Sequence, residues 1–201
     1  MRSLTALVAP AFVAATALAT PALADKALYQ LDDTHTAIYF TVDHIGYAKT
    51  LGIFTGLEGS FMYDTETQEL SDVSVTIQAD SVNTFHAARD GHVRNKDFLH
   101  VEEHPTITFT ASEGTPSGDA AGTVTGDLTI LGVTQPVTLE VTLNKVGDYP
   151  FGHKREVLGL SMSTSIMRSA FGMDYAVGNG LVGDQVDIMI ETEAMNMADN
   201  S

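Results

Sequence analysis

The stretch SVNTFHAARDGHVRNKDFLHVEEHPTITF, residues 81–109, interrupts a chain that elsewhere alternates apolar and polar side chains. Within it the alternation stops, and four of the seven histidines of the chain fall in His86–His104. The first part is compatible with a short helix, for which Thr84 is a candidate N-cap. The segment ends at Pro105, and alternation resumes at Thr106. We therefore expect strands that build a container and one helical insertion that lies across it.

Eight strands are predicted around this insertion, because apolar side chains recur at every second position. Their ranges are Leu28–His44, Lys49–Asp64, Leu70–Asp80, Thr106–Ser112, two strands within Gly122–Val146, Glu156–Met167 and Leu181–Met195. Glycines at 52, 56 and 59 indicate that the second strand is strongly curved. No βαβ pattern is present, so the prediction is an all-β fold, an eight-stranded antiparallel β-barrel. The interior of such a barrel is either filled by side chains or holds one slender ligand.

The first 24 residues have the pattern of a cleaved signal peptide. Arg2 gives a positive start, Leu4–Leu18 is apolar, and Ala22-Leu23-Ala24 is a small-x-small cleavage site. The apolar part is shorter than the ~20 residues that span a membrane, and no later segment is long enough to span one either. We expect cleavage before Asp25, export to the periplasm, and one domain over residues 25–201.

Composition excludes several classes of function. The net charge of −16 argues against binding to nucleic acid or to anionic lipid surfaces. The chain has no cysteine, so burial and sheet pairing alone must hold an exported protein together. It has no G-x-S-x-G, no P-loop and no dinucleotide fingerprint. We therefore predict no catalytic residues and no catalytic cofactor.

Short motifs follow one another in one order along the mature chain. They are H-x(4)-F-x(3)-H at His35–His44, G-x-F-x-G-x-x-G at Gly52–Gly59, S-V-N-T at Ser81–Thr84, R-D-x-H-V at Arg89–Val93, D-F-L at Asp97–Leu99, P-x-I-x-F at Pro105–Phe109, G-D-L-T-I-L-G-V-T-Q-P-V at Gly126–Val137 and R-S-x-F-G at Arg168–Gly172. Together they resemble the YceI-like family of bacterial periplasmic proteins. The resemblance implies a lipocalin-like barrel whose apolar tunnel binds a polyisoprenoid lipid, an isoprenoid quinone or a related amphiphile.

The candidate ligand-binding residues fall into two groups. Side chains expected to form the apolar wall are Phe40, Phe54, Phe85, Phe98, Phe109, Leu128, Leu160, Met162 and Ile188. For each of them, packing in a solid core is the alternative. Polar residues expected near the mouth are His44, Arg89 and Arg168. For the two arginines, the alternative to headgroup contact is a buried arginine–aspartate pair that fixes the insertion to the barrel rim.

Two rival functions stay open at this stage. The first is a periplasmic metal-binding protein that uses the His86–His104 cluster, in which His86, His92, His100 and His104 are accompanied by Glu102 and Glu103. These are zinc-ligand residue types, although the stretch contains neither C-x-x-C nor H-E-x-x-H. The second is a stress-related or structural module whose barrel is filled. The sequence does not fix the oligomeric state, and a two-fold homodimer is compatible with base rates and with the resemblance.

Overall fold

The computed structural model of the chain describes residues 26–198, so the predicted signal peptide lies outside the described residues. Within this range the strands are β1 (Ala27–Leu31), β2 (Ala37–His44), β3 (Ala48–Phe54), β4 (Leu57–Tyr63), β5 (Leu70–Gln78), β6 (Val82–Asn83), β7 (Thr106–Ala111), β8 (Thr115–Pro116), β9 (Ala121–Ile130), β10 (Val133–Asp148), β11 (Glu156–Met167) and β12 (Val182–Asn196). One α-helix, α1, spans Ala87–Arg94. Short 3-10 turns occupy Asp33–His35, Ala79–Ser81 and Arg168–Phe171.

The strands close into an antiparallel ring, which confirms the predicted eight-stranded barrel. Its order is β1, β4, β5, β7, β9, β10, β11 and β12, and β12 pairs back onto β1. β2 continues β1 and pairs with the other half of β12, while β3 pairs with β2 and continues into β4. β1 with β2, and β3 with β4, therefore act as two bent strands.

The first two predicted strands are each divided in two by a bend, whereas the sequence pattern predicted two continuous strands. The first is broken after Asp32, whose carboxylate accepts a hydrogen bond from the backbone N–H of Thr34 at 2.9 Å and so starts a 3-10 turn. The second is broken at Thr55 and Gly56. Sharp bends of this kind let a small sheet close on itself.

Inward side chains form two buried clusters along the barrel. The larger lies toward α1 and includes Ile77, Phe109 and Leu128. The smaller is at the opposite end, where Tyr29 stacks on Phe61 with ring centroids 5.6 Å apart. The Tyr29 hydroxyl donates a hydrogen bond to the Glu156 carboxylate at 2.5 Å, so its polar atom is satisfied.

Two glycines leave room for aromatic rings of the wall. A Cβ at Gly52 would lie 2.3 Å from the Phe40 ring, and a Cβ at Gly126 would lie 2.4 Å from the Thr110 carbonyl and 2.6 Å from the Phe109 ring. No side chain fits at either position without moving its neighbours. These glycines therefore allow the rings of Phe40 and Phe109 to approach the backbone of the adjacent strand closely.

The helical insertion is present as predicted, but its first turn is built differently. His86, rather than Thr84, is the N-cap residue of α1. Thr84 is instead buried, and both its backbone N–H and its hydroxyl donate to Asp90 Oδ1, at 2.6 and 2.5 Å. Arg94 then ties the helix to the chain before it by donating to the carbonyls of Asp80 and Val82.

Asp90 makes the stability of the insertion dependent on pH. The hydrogen bonds from the Thr84 hydroxyl and backbone hold the pKa of Asp90 below its usual range, against the opposing effect of burial. A lowered pKa in the folded state stabilises the fold above the unfolded value of about 3.9, and this contribution is lost as pH falls through the folded pKa. We expect Asp90→Asn to unfold at lower urea concentration than the parent at pH 7, with the difference shrinking below about pH 4. An equal difference at pH 7 and pH 3 would contradict this account.

Candidate ligand-binding site

The barrel encloses an apolar cavity of about 330 Å³. A single buried water needs about 10–15 Å³, so this space is far larger than a packing defect. It lies in the range of about 300–1,000 Å³ typical of ligand pockets. Side chains from both buried clusters line it, from Ile107 and Ile130 at one end to Phe61 and Leu158 at the other. The geometry therefore disfavours the filled-barrel alternative.

One end of the cavity is closed by the insertion and by the 3-10 turn after β11. The closing side chains are Val93, Phe98, Leu99, Phe171 and Met173. Leu99 and Phe171 are buried, and the Phe98 ring packs against the Tyr175 ring at 5.2 Å.

Arg168 holds this closed end together. It is only 3% exposed, and it donates hydrogen bonds to the carbonyls of Met173, Tyr175, Val182 and Gly183 at 2.7–3.0 Å. The predicted pairing with an aspartate is therefore corrected, because Arg168 binds backbone carbonyls. Burial lowers the pKa of Arg168, while the nearby carboxylates of Asp184 and Asp174 oppose that effect. The guanidinium remains charged at neutral pH.

The other end of the cavity opens under the loop between β7 and β9. Every exposed residue of the described lining lies within 115–121, which follows Gly114. The neighbouring turn between β4 and β5 holds this loop, because the Gln68 amide donates to the Asp119 carbonyl at 3.2 Å. Residues 115–121 with Gln68 are called the mouth below.

Nine of the twelve predicted site residues lie in the cavity wall: Phe40, Phe54, Phe98, Phe109, Leu128, Leu160, Met162, Arg168 and Ile188. They come from six strands and from both segments of the closed end, so residues far apart in sequence meet around one space. Their contact with a ligand stays a prediction.

Three predicted residues lie outside the described lining and are corrected here. Phe85 is 64% exposed and takes a left-handed backbone conformation (φ +65°), which turns it away from the barrel. His44 is exposed at the end of β2, beyond the last inward position. Arg89 donates to the hydroxyl and the carbonyl of Thr84, at 2.9 and 2.6 Å, and so belongs to the insertion itself.

The sequence analysis missed the mouth. The segment Glu113–Ala121 is rich in glycine, serine and proline, which predicts a loop but not its position across the barrel end. Tyr63 and Gln68, which also line the cavity, carried only the signals of a strand and a polar turn. No local pattern reports that two distant turns are adjacent in space.

The structure brings only two of the four histidines of the insertion together. His86 caps α1, and His92 lies 3.0 Å from an Asp97 carboxylate oxygen and packs against Phe98. His100 and His104, four residues apart, come together with Glu103, and one ligand atom of each lies within 4.8 Å of the others. A metal site would therefore use these three residues and neither His86, His92 nor Glu102.

The chain folds into a closed antiparallel barrel around an apolar cavity, and small barrels of this kind typically bind one apolar ligand. The model of the YceI-like domain matches residues 29–194, and the chain belongs to this family. A UPF0312 protein of Pseudomonas aeruginosa (strain LESB58) is 37% identical over 181 residues, covering 89% of this chain and 92% of the relative. Protein YceI of Escherichia coli O157:H7 is 37% identical over 169 residues, covering 83% and 86%.

Solved structures show the same fold. BcnA of Burkholderia cenocepacia has a TM-score of 0.72 at 23% identity, covering 82% of this chain and 99% of that chain. A YceI protein of Campylobacter jejuni has a TM-score of 0.70 at 28% identity, covering 77% and 89%. A polyisoprenoid-binding domain of Saccharophagus degradans has a TM-score of 0.60 at 15% identity, covering 84% and 98%. Among the helices of residues 26–198, none has the length and apolar character to cross a membrane.

The role of Arg168 can be measured by substitution. Arg168→Met removes four hydrogen bonds to carbonyls at the closed end, and we expect it to lower the free energy of unfolding by about 3 kcal/mol or more. Arg168→Lys keeps the charge but not the planar arrangement of five donors, so it should lower the free energy of unfolding by less than Arg168→Met does. Urea unfolding of the three proteins measures both effects. A loss below about 1 kcal/mol for Arg168→Met would show that solvent replaces the missing donors.

Proposed function

We propose that this protein is an exported periplasmic binding protein that sequesters or carries an amphiphile with a long isoprenoid tail, such as a polyprenyl lipid or an isoprenoid quinone. The observation that carries the proposal is the cavity of about 330 Å³, which runs between the two buried clusters and is lined mainly by aliphatic and aromatic side chains. The role is binding rather than catalysis. The signal-peptide pattern of residues 1–24 supports export.

The physical basis of such binding is burial of the tail. Each methylene removed from water contributes about 0.8 kcal/mol, so several prenyl units sum to ~20 kcal/mol as an upper bound. Ordering of the tail and of the pocket offsets much of this. An apolar channel therefore binds a prenyl tail without dedicated polar contacts, and the wall residues Phe40, Phe109 and Ile188 supply the required surface.

The relatives support the same class of ligand. The Saccharophagus degradans structure is of a domain described as polyisoprenoid-binding, and it shares the fold of this chain. Membership of the YceI-like family adds to this support, because the match covers residues 29–194 and so includes the whole cavity wall.

Native mass spectrometry of the protein purified from its own periplasm tests the proposal. We expect one prenyl lipid per chain, identified after organic extraction, and a chain mass that lacks residues 1–24. The same spectra report whether the chain is a monomer or a two-fold dimer. An apo mass that stays unchanged after incubation with an isoprenoid quinone would contradict the proposed function.

Two adjacent positions of β12 give a matched pair of variants for this experiment. Ile188 lines the cavity, whereas Met189 points outward and is 38% exposed. Ile188→Trp should displace about two methylenes of tail and weaken binding on the order of tenfold. Met189→Trp should leave binding unchanged. Equal effects of both variants would locate the ligand outside the barrel.

The metal hypothesis is tested separately at His100, Glu103 and His104. The His100 Nδ1 to Glu103 carboxylate distance is 3.7 Å, but the Glu103 side chain is 70% exposed, and no second partner among the described residues orients the His104 ring. In metal sites, a ligand histidine usually donates its other ring N–H to a carboxylate, a carbonyl or a water, which fixes the orientation of the ring. We expect equimolar zinc to shift the thermal midpoint by less than about 2 °C. A larger shift that His104→Ala abolishes and His86→Ala preserves would establish a metal site.

A further inference from the structure

We propose that the mouth selects ligands with an uncharged, hydrogen-bond-accepting headgroup, such as a carbonyl or a hydroxyl, over ligands that end in a phosphate or a carboxylate. This inference rests on the proposed function and specifies the ligand of the same site. It follows from the charges and donors that the described residues place around the cavity.

The described residues of the mouth include no cation for an anionic headgroup. Among the described lining residues the single cationic side chain is Arg168, and it lies at the closed end, remote from the mouth. An arginine has five N–H donors, and four of those of Arg168 already bond backbone carbonyls. Proteins that recognise phosphate or carboxylate usually supply Arg or Lys for charge-assisted hydrogen bonds.

The charges near the mouth are mainly acidic. Asp119 lines it, Glu113 lies two residues before it, and the adjoining turn carries Glu66 and Glu69. The nearby Lys26 already lies 3.4 Å from the Glu69 carboxylate. A second anion brought to this opening meets repulsion that weakens with added salt.

Other cations at this end of the barrel do not reach into the lining. Lys145 on β10 is exposed and pairs with Gly159, which lies between the lining residues Leu158 and Leu160, so Lys145 lies on the outer face of the barrel. Arg155 donates to the Asn196 carbonyl at 3.0 Å. Lys154 is exposed in the β10–β11 connection and is not part of the lining.

Among the neutral donors of the lining are Gln68 in the mouth and Tyr63 at the adjacent end of β4. No described residue hydrogen-bonds the Tyr63 hydroxyl, and burial, together with Asp64, raises the pKa of Tyr63 so that the hydroxyl stays protonated. The Gln68 amide uses one N–H on the Asp119 carbonyl, which leaves a second N–H. Gln68 also takes a left-handed conformation (φ +61°), held by its own N–H bond to the Asp64 carbonyl at 2.9 Å. These donors suit an oxygen that accepts hydrogen bonds without carrying charge.

Binding of two lipids with one tail and different headgroups tests the inference. The delipidated mature chain is titrated with geranylgeraniol and with geranylgeranyl monophosphate at low and at high salt. At low ionic strength we expect geranylgeranyl monophosphate to bind about fivefold more weakly than geranylgeraniol. At high salt we expect this difference in affinity to become smaller. Equal affinity, or tighter binding of the phosphate, would overturn the inference and leave the proposed function intact. Failure of both lipids to bind would overturn both.

Charge reversal locates the effect at the mouth. In the double variant Glu113→Lys with Asp119→Lys, we expect the difference in affinity between geranylgeraniol and geranylgeranyl monophosphate to disappear or to change sign. The control is Glu102→Lys with Glu140→Lys, which makes the same change of charge at exposed residues outside the lining. If the difference in affinity becomes smaller by the same factor in both double variants, the preference for the uncharged lipid results from the net charge of the protein, and a role for the mouth is overturned.

Discussion

The closing contact of the barrel is the pairing of β1 with β4 on one side and β12 on the other. β1 has only five residues, yet it alone closes the ring between β4 and β12 at the end that holds the smaller cluster, and without it both strands would have open edges there. Because the chain has no cysteine, no disulfide reinforces this seam. Tyr29 strengthens it through its stacking on Phe61 and its hydrogen bond to Glu156, so the strand that closes the ring also seals one buried cluster.

The two ends of the barrel are built on opposite principles. At the closed end, Arg168 and Arg94 bind backbone carbonyls, which turns irregular chain into a rigid cover. At the mouth, the cover is a short loop of small residues tied by the side-chain hydrogen bond from Gln68, the short pairing of β8 with β9 and the backbone hydrogen bond from Leu143 to the Ala120 carbonyl. Regions with few buried contacts open at lower free energy than the rest of a fold. Ligand exchange is therefore expected at the mouth.

Much of the fold was predictable, because alternation reports directly which side of a strand faces inward. It identified Phe109, Leu128 and Ile188 correctly as inward-facing. The ligand class came from the motifs that resemble the family, not from alternation. Phe85 and Arg89 were placed wrongly, and Arg168 was given an aspartate partner that it lacks, for a different reason: irregular segments have no fixed period, and their side chains follow local backbone angles and distant partners. The left-handed angle of Phe85 and the four carbonyls around Arg168 leave no trace in the neighbouring sequence.

A cavity that is closed at one end has a kinetic consequence. Under the proposed function, a tail that enters at the mouth would advance toward Leu99 and Phe171 and would have to leave by the same route. An incoming lipid cannot push the bound one out from behind, so exchange has to begin with departure of the first ligand. The rate of release is then independent of the concentration of competitor. Delivery of the lipid to an acceptor would have to be driven by contact with the mouth rather than by an excess of free lipid.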